Sequence, residues 1–132
     1  EKEGGSKKAV SGMPMVQFSL SGMLQLCDEG VLTPEIVIQL MCHNPARLFC
    51  VDKRGFLRPG YKADFVLLRH DEPMILNSSQ ILSRCGWSPR EGDTFNWKVC
   101  QTWVNGQLVW DGQTIACGNA GQPVRFNRKC HN

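Results

Sequence analysis

The side chains able to do chemistry are few and scattered. The chain has three histidines, His43, His70 and His131, and seven cysteines, Cys27, Cys42, Cys50, Cys85, Cys100, Cys117 and Cys130. A zinc site gathers His, Cys or carboxylate ligands at close spacing, and these histidines stand isolated from one another. Cys42-His43 sets a thiol beside an imidazole, the pairing of a nucleophile with its base. Neighbours on a helix point in different directions, however, and no orienting acid follows, so His43 reads as structural. Cys130-His131 reads as a frayed end rather than a metal site. Asp64 has the chemistry of a general acid, but it stands after a turn at a strand start, where a carboxylate commonly bonds the backbone. The cysteine count is odd and no C-x-x-C spacing occurs, so the thiols read as reduced, small hydrophobes. Trp103 and Trp110 alternate with polar residues and read as core or subunit-interface packing rather than a stacking platform.

Three helical segments and then several strands must position these residues. Pro14 suits the first position of a helix, and Val16, Leu20, Met23, Leu24, Leu26 and Cys27 follow at helical spacing. Gly30 caps that helix. Thr33-Pro34-Glu35 opens a second helix, with Thr33 as N-cap and Glu35 near the positive end. Ile36, Val37, Leu40 and Met41 form its apolar stripe. Asn44-Pro45 opens a third, short helix that buries Ala46, Leu48 and Phe49. After Asp52 the period changes. Pro59-Gly60 fits the centre of a type II turn, and Phe65-Val66-Leu67-Leu68 reads as a strand covered on both faces. Met74-Ile75-Leu76 is a shorter strand, and residues 77–96 are irregular. Lys98–Val104 and Gln107–Trp110 flank Asn105-Gly106, the strongest short-range hairpin signal. A last strand is expected at Pro123–Phe126. The helical part has an apolar face but no sheet of its own to cover, so it is expected to pack against something outside this chain.

The 132 residues suffice for one modest core. Basic and acidic residues are interleaved, and the net charge of +3 leaves no nucleic-acid footprint. No apolar run reaches the roughly 20 residues of a membrane helix, and the polar, Gly-rich start shows no signal peptide. A soluble, cytoplasmic protein is expected.

The order of these pieces resembles the C-terminal third of the dihydroorotases, members of the cyclic amidohydrolase superfamily. Glu1-Lys2 resembles the end of the segment after the eighth barrel strand. Ser11-Gly12-Met13-Pro14-Met15-Val16-Gln17 resembles the loop and helix start that follow it. Leu32-Thr33-Pro34-Glu35 through Phe49 resembles the final barrel helices, and Gly55 to Leu68 the return into a β-sandwich. Ser88-Pro89-Arg90-Glu91-Gly92 and the hairpin Trp103 to Trp110 resemble the segments that close the family's chain. The Gly55–Leu68 pattern is shared by many amidohydrolases; the Ser11–Gln17 and Ser88–Gly92 segments point to dihydroorotase among them.

This resemblance implies an α/β chain: the last helices of a (β/α)8 barrel over residues 1–51, then a small antiparallel β-sandwich portion over 52–132. It implies an enzyme that interconverts N-carbamoyl-aspartate and dihydroorotate. Two zinc ions bridged by a carboxylated lysine activate a hydroxide, and an aspartate moves the proton. No zinc ligand or catalytic residue of that set falls on this chain; they are expected upstream of Glu1, so the chain by itself is expected to be inactive and to hold no metal. Substrate would be met only together with the rest of the barrel. The one site region carried over is the substrate-facing loop, at Ser11 and Gly12, where a glycine lets the backbone approach a ligand. The other reading of Ser11-Gly12 is a plain turn before a helix. A hydantoinase, an allantoinase or a non-catalytic binding module are the alternatives for the whole, and a homo-oligomer is compatible with each.

Overall fold

The computed structural model describes residues 12–127 of the chain. Helices come first and antiparallel strands follow. A single 3-10 turn, Val16–Phe18, leads into α1, Ser19–Asp28. The helical start therefore falls two residues beyond Pro14, which lies outside the helix in a tight turn closed by the Met15 N–H on the Met13 carbonyl. The Ser19 hydroxyl instead closes the first turn on the Met15 carbonyl, at 3.0 Å. The C-terminus follows the sequence reading. Gly30 has φ +72°, its N–H donates to the Cys27 carbonyl, and the Val31 N–H donates to that of Leu26. This crossed pair uses up carbonyls that a helix end leaves open.

α2, Pro34–Ile38, begins as expected, with the Thr33 hydroxyl accepting the Ile36 N–H. The next segment corrects the sequence reading. Asn44-Pro45 does not open a separate helix. The chain runs through a π turn, Gln39–His43, straight into α3, Asn44–Leu48. A proline inside an α-helix has no N–H to donate and its ring strikes the carbonyl four residues back. The π turn widens the coil just ahead of it, with the Asn44 N–H reaching back to the Gln39 carbonyl. Ala46 is buried as expected, but Leu48 and Phe49 are 73% and 61% exposed. Ile36, Ile38, Leu40 and Met41 are also exposed, whereas Val37 is buried.

The strands are β1 Phe65–Arg69, β2 Met74–Ile75, β3 Thr94–Phe95, β4 Lys98–Val104 and β5 Gln107–Trp110. They form two antiparallel sheets, a three-stranded one in the order β1-β4-β5 and a two-stranded one of β2 with β3. β4 and β5 turn on Asn105-Gly106, both at positive φ, the geometry a two-residue hairpin needs. The Tyr61 N–H closes the Pro59-Gly60 turn on the Arg58 carbonyl, with Gly60 at φ +80°. β1 departs from expectation: Val66, Leu67 and Leu68 are exposed, so neither face is fully covered. The stretch expected to be irregular contains β3 and a 3-10 turn at Ser78–Gln80, capped by Asn77. Pro123–Phe126 forms no strand, only a bridge from Phe126 to Val51.

The fully covered core is small. Phe18, Leu76 and Phe95 cluster with Ile81 against them, the Phe18 and Phe95 rings stacked 6.3 Å apart. Thus the start of α1 docks on the two-stranded sheet. The Ser88–Gly92 segment closes this unit. Ser88 is buried, its hydroxyl accepts the Arg90 N–H, and the Gly92 N–H donates to the Leu76 carbonyl. Arg90 lies over the Phe95 ring and donates to Gln25 on α1.

Candidate functional site

Of the two residues expected to face substrate, Ser11 lies outside the described residues. Gly12 is exposed at φ +87°, with open space where a side chain would stand. Among the described residues nothing lies within 4 Å of where its Cβ would stand, yet any other residue type would be strained at that φ. It precedes the exposed Met13 and the 3-10 turn that enters α1.

The remaining candidates are held in structural roles. Asp64 accepts the Asn105 N–H at 2.7 Å through one oxygen and pairs with Arg54 through the other. Arg54 also donates to the Asn105 side-chain oxygen at 2.8 Å, and the Asn105 amide donates to the Ala120 carbonyl. Both oxygens of Asp64 therefore fasten the hairpin turn to the loop after α3, which is the backbone-bonding role its position suggests. His43 stacks on Phe56 at 4.4 Å, and Arg58 and Arg47 lie over the same ring. This cation–aromatic stack joins the π turn to the segment before the Pro59-Gly60 turn. Cys42 is exposed, but partial desolvation of its thiol by neighbouring groups raises its pKa, which works against a nucleophilic thiolate. Cys27, Cys42, Cys85, Cys100 and Cys117 carry free thiols.

One polar cluster was not visible in the sequence. Asp28, at the end of α1, accepts the Trp97 indole N–H at 2.9 Å and the Asn96 amide at 3.1 Å. His70 meets it through Nε2 at 3.1 Å and meets Asp71 through Nδ1 at 2.8 Å. The hydrogen bond to Asp71 is the main cause that raises the His70 pKa; desolvation opposes it, and the bond to Asp28 and both carboxylate charges add to it. Desolvation acts on Asp28 in the opposite sense, but the bonds from Trp97, Asn96 and His70 together hold its carboxyl below the usual range. The cluster pins the C-terminus of α1 to the end of β1 and the start of β4.

Among the described residues no group of three or more His, Cys, Asp or Glu could hold a metal ion, and no helix is long and apolar enough to cross a membrane. The described residues form concavities in two places relevant to a site. A cavity of about 420 Å³ is lined by Asp52, Lys53, Arg54, Lys62, Gln122 and Arg125, with Pro123 beside them. A shallow groove of about 450 Å³ runs between the π turn, α3 and the segment around Val124 and Phe126, and is mostly apolar.

Residues 8–109 match the Amidohydrolase family. The chain is 33% identical over 117 residues to a dihydroorotase of Halobacterium salinarum, covering 89% of this chain and 27% of that protein. It is 32% identical over 106 residues to an allantoinase of Bacillus velezensis, covering 80% of this chain and 23% of the relative. Among solved structures it superimposes on the L-hydantoinase (dihydropyrimidinase) of Arthrobacter aurescens with a TM-score of 0.83 at 30% identity, over 89% of this chain and 27% of that one. The chain thus spans less than a third of the length of the proteins it matches.

Proposed function

Because the chain belongs to the amidohydrolase family, we propose that it is the closing segment of a cyclic amide hydrolase, and specifically of a dihydroorotase acting in the cytoplasm. The observation that carries this reading is the match to dihydroorotases along nearly the whole chain, 33% identical over 89% of it in the Halobacterium protein. In this reading residues 1–51 are the last barrel helices and residues 52–132 contribute part of a β-sandwich. The exposed apolar residues of the 34–49 helical run, Leu48 and Phe49 foremost, are then covered by the remainder of the enzyme.

The described residues do not fit a metal: they offer no ligand set. The zinc that the family resemblance implies would be held by other parts of the enzyme, and no proton transfer or nucleophilic attack is assigned to a side chain of this segment. Its contribution to substrate is positional. Barrel enzymes build their sites from the loops at one end of the barrel. By the family resemblance Ser11-Gly12 would belong to such a loop, and the left-handed backbone of Gly12, φ +87°, with open space where a Cβ would stand, is compatible with a close approach to a cyclic amide. A homo-oligomer of the whole enzyme is compatible with the same arrangement.

A hydantoinase or allantoinase is the second reading, favoured by the structural match to the Arthrobacter L-hydantoinase and the allantoinase relative. The test is turnover by the full-length protein carrying this sequence, metal-loaded, with dihydroorotate, hydantoin and allantoin side by side. Ring opening of dihydroorotate well above the other two is expected. Hydantoin or allantoin turnover without dihydroorotate turnover assigns the second reading, and no turnover of any of them leaves a non-catalytic binding module.

A further inference from the structure

The cavity lined by Asp52, Lys53, Arg54, Lys62, Gln122 and Arg125 takes no part in the functions above, and its chemistry differs from that of its surroundings. At about 420 Å³ it falls within the size range of small-molecule sites, roughly 300–1,000 Å³. Such sites are mostly apolar; the surface here is likewise largely apolar, from side-chain stems and Pro123, but six of its seven lining residues carry a charged or amide group. Its charges are unequal. The Arg54 guanidinium is already met by Asp64. Lys53, Lys62 and Arg125 remain against the single carboxylate of Asp52, an excess of two positive charges.

These cations are held in place rather than scattered over a loop. The Lys62 N–H donates to the Lys53 carbonyl at 2.9 Å, and the Asp52 N–H to the Arg125 carbonyl at 2.8 Å. Phe126 bridges Val51 next to that second bond. The Lys62 ammonium is tethered to the Gln122 side chain at 3.1 Å. The side chains of Lys53 and Arg125 form no ion pair or hydrogen bond among the described residues, although an acidic group lines the same cavity. Unmet cations that share one concavity are most simply satisfied by an anion, and an arginine together with two lysines suits a phosphate. The guanidinium supplies two parallel donors and the ammonium groups supply compact charge.

We propose that this cavity, which Gly12 does not line, binds a small phosphate-bearing ligand, either inorganic phosphate or a phosphate monoester. Lys53 and Arg125 contact the phosphate directly. Lys62, oriented by Gln122, adds the third positive charge. The inference does not depend on which cyclic amide the protein hydrolyses.

The test is isothermal titration of the full-length protein with inorganic phosphate and, separately, with glycerol 3-phosphate, at low and at physiological salt. Saturable binding that weakens with salt is expected for at least one probe. Tighter binding of the ester identifies an organic phosphate as the natural ligand, and equal or better binding of inorganic phosphate identifies the free ion. Lys53→Gln and Arg125→Gln should each weaken binding, and the double variant should lose at least about tenfold. Arg125→Lys should retain part of the affinity. Both side chains are exposed, and unfolding curves superimposable on wild type establish that the fold is intact. Absence of saturation with both probes at millimolar concentration overturns the proposal, including the case in which only an acidic peptide binds. So does binding that is unchanged in the double variant.

Discussion

Replacing Gly55 by alanine should destabilise the fold far more than the same change at Gly60, although both glycines sit in one loop at nearly the same positive φ, +78° and +80°. Two effects are common to both. Placing an L side chain in the left-handed region costs about 1–2 kcal/mol, and the reduced freedom of the unfolded chain returns about 0.4–1 kcal/mol. Gly60→Ala should therefore cost about 0–1.5 kcal/mol, since its Cβ would stand in open space. At Gly55 the new Cβ would lie 2.5 Å from the Ala46 Cβ and 2.8 Å from the Cys42 carbonyl oxygen. Neither atom is the end of a flexible side chain. One is fixed in α3 and the other belongs to the backbone of the π turn. Relief requires the loop to lift off the helical run, at the overpacking cost of about 1–3 kcal/mol. The two variants should thus differ by about 1–3 kcal/mol, with Gly55→Ala the worse. Urea unfolding followed by tryptophan fluorescence, with equal m-values, measures the difference. A Gly55→Ala variant no less stable than Gly60→Ala would refute the close packing of this loop on the π turn.

Four further outcomes follow from the same structure. Asp64→Ala should cost about 1–3 kcal/mol in urea unfolding, because it removes an acceptor from the Asn105 N–H and a partner from Arg54; unchanged stability together with lost turnover would instead make Asp64 a catalytic acid. His70 has a folded pKa raised above about 6.5, so its contribution to stability is complete below that value and fades as pH rises through the folded pKa; a thermal unfolding series should show this loss, His70→Gln should abolish it, and an NMR titration giving a His70 pKa at or below about 6.5 would contradict the bridge. Asp28, with its pKa lowered, should lose its contribution in the opposite direction, as pH falls below about 3.9. In the 132-residue chain by itself, Leu48→Ser with Phe49→Ser should reduce hydrophobic-dye binding while changing stability by less than about 0.5 kcal/mol per site, since both side chains are exposed; a large loss of stability would place them in a core.

Features decided by a few adjacent residues were legible in the sequence. Asn105-Gly106 specifies its hairpin because both positions need positive φ. Gly30, Thr33 and Pro59-Gly60 each fix a terminus or turn through their own backbone chemistry. Asn44-Pro45 misled for the same local reason. A proline opens helices readily, and nothing in the neighbouring residues announces that a π turn will absorb it. Exposure on β1 was also misread. Four successive apolar residues signal burial, but which surface buries them is not a property of the strand. β3 could not be found, because two residues become a strand only by pairing with Met74-Ile75 about twenty positions earlier. The candidate site divides in the same way. Asp64 was assigned its structural role from its place after a turn. The His70–Asp28–Trp97 cluster joins residues 42 and 69 positions apart, and the cation-lined cavity joins residues 52–62 to 122–125. Only the folded chain brings either set together.

The account rests on this chain being the closing part of a longer amidohydrolase, and the mass of the native polypeptide tests that most directly. The 117 residues aligned with the Halobacterium dihydroorotase are 27% of that protein. Capture from the natural source with an antibody to this sequence, followed by intact mass spectrometry, should therefore return a polypeptide roughly three times heavier than 14.8 kDa. A native, monodisperse species of 14.8 kDa that binds no hydrophobic dye would contradict the account, because the apolar residues of the helical run would then need no further protein to cover them.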